Sequence, residues 1–535
     1  MPRAITAPVR LVPLGSEPLR VSGLHSYFGA IRLDAAADGL VVINELPLER
    51  YLLGLNEVPS DWPMEALRAQ AVAARTYALW TLGRPPAGAA EIFGFDICAS
   101  DQCQVFSGAD VSSQVDGARW TEAVGSTAGR AILYEGEPIL ARYHSTSGGQ
   151  TLSNSQAFAG DPDLPYLRPV KSTTEEASPL YRWRVLFTLE DLQAVLQEAG
   201  SWSTLERSLV DVRTVPSRSG SHYPDVVFEG ARALRWSAED LRTVLRDVAP
   251  RLWPGRYPSA APTGSGRLPE TLPSNRITIS TDEGIVEIVG RGWGHGVGMS
   301  QWGAHGMALG GSDHRAILEH YYSGVEIGRV ADAGTIEVGV DWARSSVDVL
   351  GSFRVIDGAG ETVLPRALGT WSFHPASGGV SLTPPRGYGR PLQVRLVRAP
   401  QRARAGRTAP LTIHLSAPAR VVAAAGAGGR SGAVTRDAGR RRVSWRAPSE
   451  PGRYRVTVRA SDGAGVVSSA PVEVVVVGAP PGSDEDAAPG AGGGLLPAVA
   501  LWIAAGGFLL VVAVGAASFV GTIGRWTRPP PSRNR

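Results

Sequence analysis

Residues 487–524 carry no charged side chain. Within that run, residues 495–524 read LLPAVALWIAAGGFLLVVAVGAASFVGTIG, long and apolar enough to cross a bilayer as one helix, which takes about 20 residues. Asp484, Glu485 and Asp486 precede it; Arg525, Arg528, Arg533 and Arg535 follow. Excess arginine marks the cytoplasmic flank. This predicts a single-pass protein of the cell membrane, with residues 525–535 as a basic cytoplasmic tail and the bulk of the chain extracytoplasmic. Export of that bulk calls for a leader, and residues 1–26 show no signal peptide: the first twenty lack an apolar core. The expectation is a start lying upstream.

The 535 residues are 43% hydrophobic with a net charge of +3, which excludes a disordered chain. The small net charge also argues against nucleic acid as a partner. Of 53 basic residues, Lys171 is the one lysine, a codon-usage signature that says nothing about mechanism.

Strand signals begin near Tyr27 with AIRL and GLVVIN. Pro63 suits the first position of an Ala-rich helix running to Leu82. Leucine and valine spacing predicts helices over 189–199 and 237–247, and a further helix is read over 313–322. Residues 254–275 read as a Pro/Gly/Ser linker or long loop, and 277–289 as a hairpin. The expected fold class is an α+β domain over 27–330, followed by two small all-β modules. The first covers 331–400. The second, over 401–478, is an immunoglobulin-like sandwich, with strands every 8–12 residues. A flexible tether (479–494) and the transmembrane helix (495–524) complete the chain.

Four clusters carry chemistry. Residues 290–320, GRGWGHGVGMSQWGAHGMALGGSDHRAILEH, hold four of the nine histidines and glycines at 290, 292, 294, 296 and 298. They contain no dinucleotide loop, no phosphate loop and no HExxH zinc motif. A tight polar loop able to grip a sugar or peptide remains, as does a structural turn. Residues 143–151, YHSTSGGQT, follow a strand. They suit a hydrogen-bonding loop better than a serine nucleophile, for which the GxSxG elbow is missing. Glu45, Glu49, Glu57, Asp61 and Glu65 surround the start of the Ala-rich helix. Leu55, Val58 and Trp62 would desolvate Glu57 and raise its pKa, as a general acid requires, although acidic groups at a helix start are commonly just solvated. Cys98 and Cys103 are the two cysteines. They leave two readings open, a local disulfide or two ligands of a zinc site.

Taken together, VINELPLERYLLGLNEVPSDWPMEALRAQAVAARTYAL (42–79), CASDQCQVFSG (98–108), YHSTSGGQTLSN (143–154) and GRGWGHGVGMSQWGAHGMA with ILEHYYSGVEI (290–327) resemble the stage II sporulation protein D family, the SpoIID/LytB domain. The resemblance implies a membrane-anchored lytic transglycosylase that cleaves peptidoglycan glycan strands, preferably free of stem peptides, in sporulation or cell-wall remodelling. It places the family's catalytic carboxylate on Glu57, in Asn56-Glu57-Val58-Pro59 where the family usually reads SEMP. This chain is two residues shorter between Tyr51 and Glu57, so that placement rests on Pro59 and Trp62-Pro63. One carboxylate suffices for such chemistry. Glu57 would protonate the leaving oxygen and then take the proton of the sugar's own C6 hydroxyl, which closes a 1,6-anhydro ring. The resemblance further implies that Arg75, Tyr143, His144, Ser147, Asn154, His295, Ser300 and Gln301 bind substrate or shape the site.

Some family members bind zinc through this cysteine pair and a histidine just before the second cysteine. Here that position is Gln102, which favours the disulfide and a protein without a cofactor. Two readings from other classes stand beside the enzyme. One is a non-catalytic enhancer of a cell-wall amidase, as the LytB branch implies. The other is a wall-binding scaffold that uses its β modules.

Overall fold

The computed structural model describes residues 3–158, 160–202, 208–230, 233–254, 271–425 and 429–478. The tether, transmembrane helix and basic tail read over 479–535 lie outside these residues. Among the described residues no helix is long and apolar enough to cross a membrane.

The α+β class and the separate β module over 331–400 are corrected by the structure. Strands dominate, with thirty-two against nine α-helices among the described residues. The reason begins at Gly39–Pro47, GLVVINELP, which is buried on both faces for all but its last residue. A strand with two covered faces sits inside a sheet and needs a neighbour on each edge. Ala30–Ala36 pairs with one edge, Leu33 opposite Val42. The other edge is taken by Thr335–Arg344, Val338 opposite Asn44. Val347–Ile356 then pairs with Val9–Pro13, and Gly379–Thr383 with Arg3–Thr6. Residues before 27 and after 331 are therefore strands of one eleven-stranded sheet that includes 30–47.

The helix Met64–Leu82 runs between two apolar cores. Ala69, Val72 and Ala73 face one core; Leu67, Ala71, Ala74 and Ala78 face the other. Small side chains let both cores approach its backbone, and this explains the alanine content. A further region is built from the three-stranded sheets of Arg182–Thr188, Ile285–Arg291 and Ile277–Asp282, and of Asp211–Val215, Asp225–Glu229 and Ala233–Ser237. The helices Leu189–Glu198 and Ala238–Leu252 accompany them, each opened by a capping box, at Thr188 and Ser237.

From Val394 to Val477 two sheets enclose a separate core around Trp445. This part is fastened to the eleven-stranded sheet. Asp437 accepts hydrogen bonds from the Thr370 amide and hydroxyl, both at 2.6 Å, and Arg420 pairs with Glu17 at 2.7 Å.

Candidate functional site

Glu57 lies just after the helix Leu48–Leu53. Its loop is held by a short ladder: the Asn56 amide donates to the Val105 carbonyl at 2.9 Å, and the Ser107 amide to the Gly54 carbonyl at 2.8 Å. Gly54 is required for this approach, because a Cβ there would stand 2.4 Å from the Phe106 ring. The opposing segment follows the short loop closed by the Cys98–Cys103 disulfide. Of the two readings left open for these cysteines, the bonded pair is the one observed. Its place in the fold is a brace behind the loop facing Glu57. Among the described residues no group of three or more His, Cys, Asp or Glu is placed to hold a metal ion.

Glu57 Oε1 accepts from the Val105 amide at 2.7 Å and from the Tyr143 hydroxyl at 2.9 Å. Gln301 adds a side-chain hydrogen bond. The Tyr143 hydroxyl in turn accepts from Gln104 Nε2 at 2.9 Å, and Gln104 Oε1 accepts from the Tyr51 hydroxyl at 2.9 Å. Tyr51 and Gln104 are fully buried, so the chain of donors ending on Glu57 is rigid. Burial pushes the Glu57 carboxyl up to about 7, against the hydrogen bonds from Val105, Tyr143 and Gln301, which favour the carboxylate. A carboxyl poised there can give and take a proton near neutral pH.

Two blocks far apart in sequence meet behind Glu57. Tyr143–His144 runs parallel to Met299–Ser300, and the Trp293 amide donates to the Thr146 carbonyl at 2.8 Å. The alternating glycines make this possible. Gly298 has φ +70°, and a Cβ on it would lie 2.0 Å from the Arg142 carbonyl oxygen. Gly292 has φ +77°, with the Thr146 carbonyl oxygen 2.4 Å from its Cβ position.

The two blocks are also tied by Glu175, which is fully buried. It accepts from the Ser147 hydroxyl at 2.7 Å and amide at 2.9 Å, from the Gly149 amide, from Ser172 Oγ at 3.2 Å and from Ser300 Oγ. Ser300 also caps the helix Gln301–Leu309 through the Gly303 amide. The His144 and His295 rings are neighbours, with centroids 5.5 Å apart and planes tilted by 55°. Burial holds both imidazoles below their ordinary pKa, and each keeps the neutral form at pH 7.

The residues singled out from sequence thus separate by position. Tyr143 and Gln301 touch Glu57. Ser147 and Ser300 meet on Glu175, and the His144 and His295 rings pack against each other. Arg75 is turned into the fold: it is 1% exposed, grips Glu49 in a two-pronged pair at 2.7 and 2.8 Å, and donates to the Val124 and Arg130 carbonyls. Asn154 braces its own loop through the Pro162 carbonyl at 2.9 Å. Glu65 pairs with Arg68 and with His314 at 2.7 Å, and Glu45 with Arg10 and Arg32. Sequence reasoning missed Tyr51, Gln104 and Glu175. Tyr51 and Gln104 stood inside the quoted blocks without a signal of their own, and Glu175 stood in none.

Beside this centre three rings cluster. Trp62 and Trp302 lie 5.1 Å apart, with His305 4.8 Å from Trp62 and 5.2 Å from Trp302. Trp302 directly follows Gln301, and its amide is anchored on the Ser145 carbonyl at 3.0 Å. Trp302 and His305 keep partial exposure, so they offer a π surface that begins one residue after Gln301.

Comparison with known proteins gives a consistent picture. A family model described as SpoIID, Stage II sporulation protein, matches residues 36–134. An uncharacterized protein of Brachyspira hyodysenteriae is 33% identical over 306 residues, covering 56% of this chain and 72% of that protein. Stage II sporulation protein D of Bacillus subtilis is 31% identical over 334 residues, covering 59% of this chain and 87% of that protein. The amidase enhancer of Bacillus subtilis is 28% identical over 299 residues, covering 51% of this chain and 39% of that larger protein.

Proposed function

Because the chain belongs to the stage II sporulation protein D family, we propose that it is a lytic transglycosylase acting on peptidoglycan glycan strands, outside the cytoplasm, in sporulation or wall remodelling. The observation that carries this reading is the Glu57 carboxyl, raised to about 7 and held by three donors. In the proposed cycle Glu57 protonates the glycosidic oxygen as the C1–O bond breaks. The Val105 amide, Tyr143 and Gln301 stabilise the carboxylate left behind. That carboxylate then takes the proton of the C6 hydroxyl while O6 bonds to C1, and Glu57 is restored. No water is consumed, so a second carboxylate is not needed to activate one. Trp302 and His305 supply a face on which a sugar ring stacks. The Cys98–Cys103 bond supports a location outside the cytoplasm, where disulfides persist. Glycan strands without stem peptides are the proposed substrate.

A second reading is favoured by the similarity to a protein named amidase enhancer: stimulation of a partner cell-wall amidase without chemistry at Glu57. Glu57→Gln separates the two. Under the enzyme reading it abolishes release of soluble fragments from stripped glycan strands. If it leaves that release intact and the protein also stimulates an added amidase, the enhancer reading replaces the first.

A further inference from the structure

The net charge of +3 conceals a strong asymmetry. Residues 392–478 contain fifteen arginines and four acidic residues, Asp437, Glu450, Asp462 and Glu473. This part alone carries +11, which leaves −8 on the remainder of the chain. Codon usage accounts for arginine in place of lysine but not for the segregation of positive charge into one part of the fold.

The strand register gathers part of that charge on one face. In the sheet of Val394–Arg398, Thr408–Leu415 and Gly439–Arg446, Leu411, Ile413 and Leu415 point into the core. Their alternate neighbours point out. Arg395 stands opposite His414, which stands opposite Arg440; Arg398 stands opposite Thr412, which stands opposite Arg442. All four arginines are exposed, and among the described residues none of them forms an ion pair with a carboxylate. Like charges placed together without counter-ions cost stability, so a surface that retains them is matched to an anionic partner.

We propose that this sheet face binds a linear, base-free phosphodiester polymer, such as a polyol phosphate, running across the strands. Guanidinium groups bind phosphate through paired N–H donors. Same-face residues lie about 7 Å apart along a strand and about 5 Å apart between strands, a spacing that lets successive phosphates meet successive arginines. The residues between the arginines are His414 and Thr412, and Pro410, Ser444, Thr408 and Arg446 continue the face. No tryptophan, tyrosine or phenylalanine is among them, which disfavours single-stranded nucleic acid, whose bases stack on aromatics. Of the large apolar residues in these three strands Val397 is exposed, at 37%; a single such side chain offers little to insert, which disfavours a lipid surface. The proposal is independent of the chemistry at Glu57.

The test uses the full chain, with poly(glycerol phosphate) as the probe and binding measured between 50 and 300 mM salt (roughly the range over which counter-ion release is read). Single-stranded DNA of equal charge and anionic phospholipid vesicles are run in parallel. Changing Arg395, Arg398, Arg440 and Arg442 together to glutamine is expected to weaken polymer binding at least tenfold and to flatten the salt slope by about three. A control that changes Arg402, Arg404, Arg453 and Arg455 of the other sheet to glutamine removes the same charge and is expected to weaken binding less than threefold. Equal losses in the two variants would overturn the proposal, as would absence of binding by the unaltered protein. Tighter binding to DNA or vesicles than to the polymer would overturn the choice of partner.

Discussion

The Tyr143 hydroxyl donates to Glu57 Oε1 at 2.9 Å while accepting from Gln104 Nε2 at the same distance, so the residue before His144 sets the proton affinity of a carboxyl 86 positions away in the chain. Removing that hydroxyl tests the arrangement. The Tyr143 bond favours the charged carboxylate, so Tyr143→Phe raises the Glu57 pKa further. In the proposed cycle the alkaline limb of glycan cleavage, where the general acid is lost, then moves upward by about one pH unit. A pH–rate profile of the two proteins measures it.

Glu57 also leaves a mark on stability. Its carboxyl lies at about 7 in the fold against an ordinary value of 4.5. Below pH 4.5 it is protonated in both states. As pH rises toward 7 the unfolded chain ionises while the folded one resists, and stability is lost. Glu57→Gln has no such term. The variant therefore gains on the unaltered protein between pH 4.5 and 7, by on the order of 3 kcal/mol, and the gap is constant above. Denaturant melts at pH 4.5, 6 and 8 read it.

Glu175 answers five donors from three segments. Glu175→Gln keeps the shape but turns an NH2 toward groups that themselves donate, at a cost of about 3 kcal/mol. A fall in Tm of about 5–10 °C is expected, with glycan cleavage reduced because Ser147 and Ser300 lose their common anchor. A Tm within 1 °C of the unaltered protein, by calorimetry (about the scatter expected of a neutral surface change), would remove Glu175 from this role.

Trp302 is proposed to carry a sugar ring. Trp302→Ala should raise KM for glycan strands about tenfold, the scale of one aromatic stacking contact, with a smaller change in kcat. Steady-state kinetics separate the two, and a loss confined to kcat would place Trp302 outside the binding surface.

Much of the site was legible in the chain because its pieces are local motifs. Pro63 and the alanine run foretold the helix Met64–Leu82. Alternating glycines were legible as a tight loop, read as gripping a sugar or peptide or as a structural turn; what packs against them is the chain's own Tyr143–His144 strand. What stayed hidden depends on partners remote in sequence. Gly39–Pro47 looks like a buried strand, but its second neighbour begins at Thr335, almost 300 residues on, and no periodicity announces such a pairing. Residues 331–400 accordingly read as a module of their own. Arg75 carried a charge that suits substrate, yet burial beside Glu49 makes it structural. Glu175 sits in KSTTEEASP beside another glutamate, and only the fold distinguishes the buried one.

Glu57 is proposed to drive an intramolecular ring closure in glycan strands. Mass spectrometry of the products from stem-peptide-free strands tests it directly. The unaltered protein should release fragments ending in 1,6-anhydro sugars, and Glu57→Gln should release none. Anhydro ends from Glu57→Gln at the unaltered rate, or reducing ends formed by water from the unaltered protein, would contradict it.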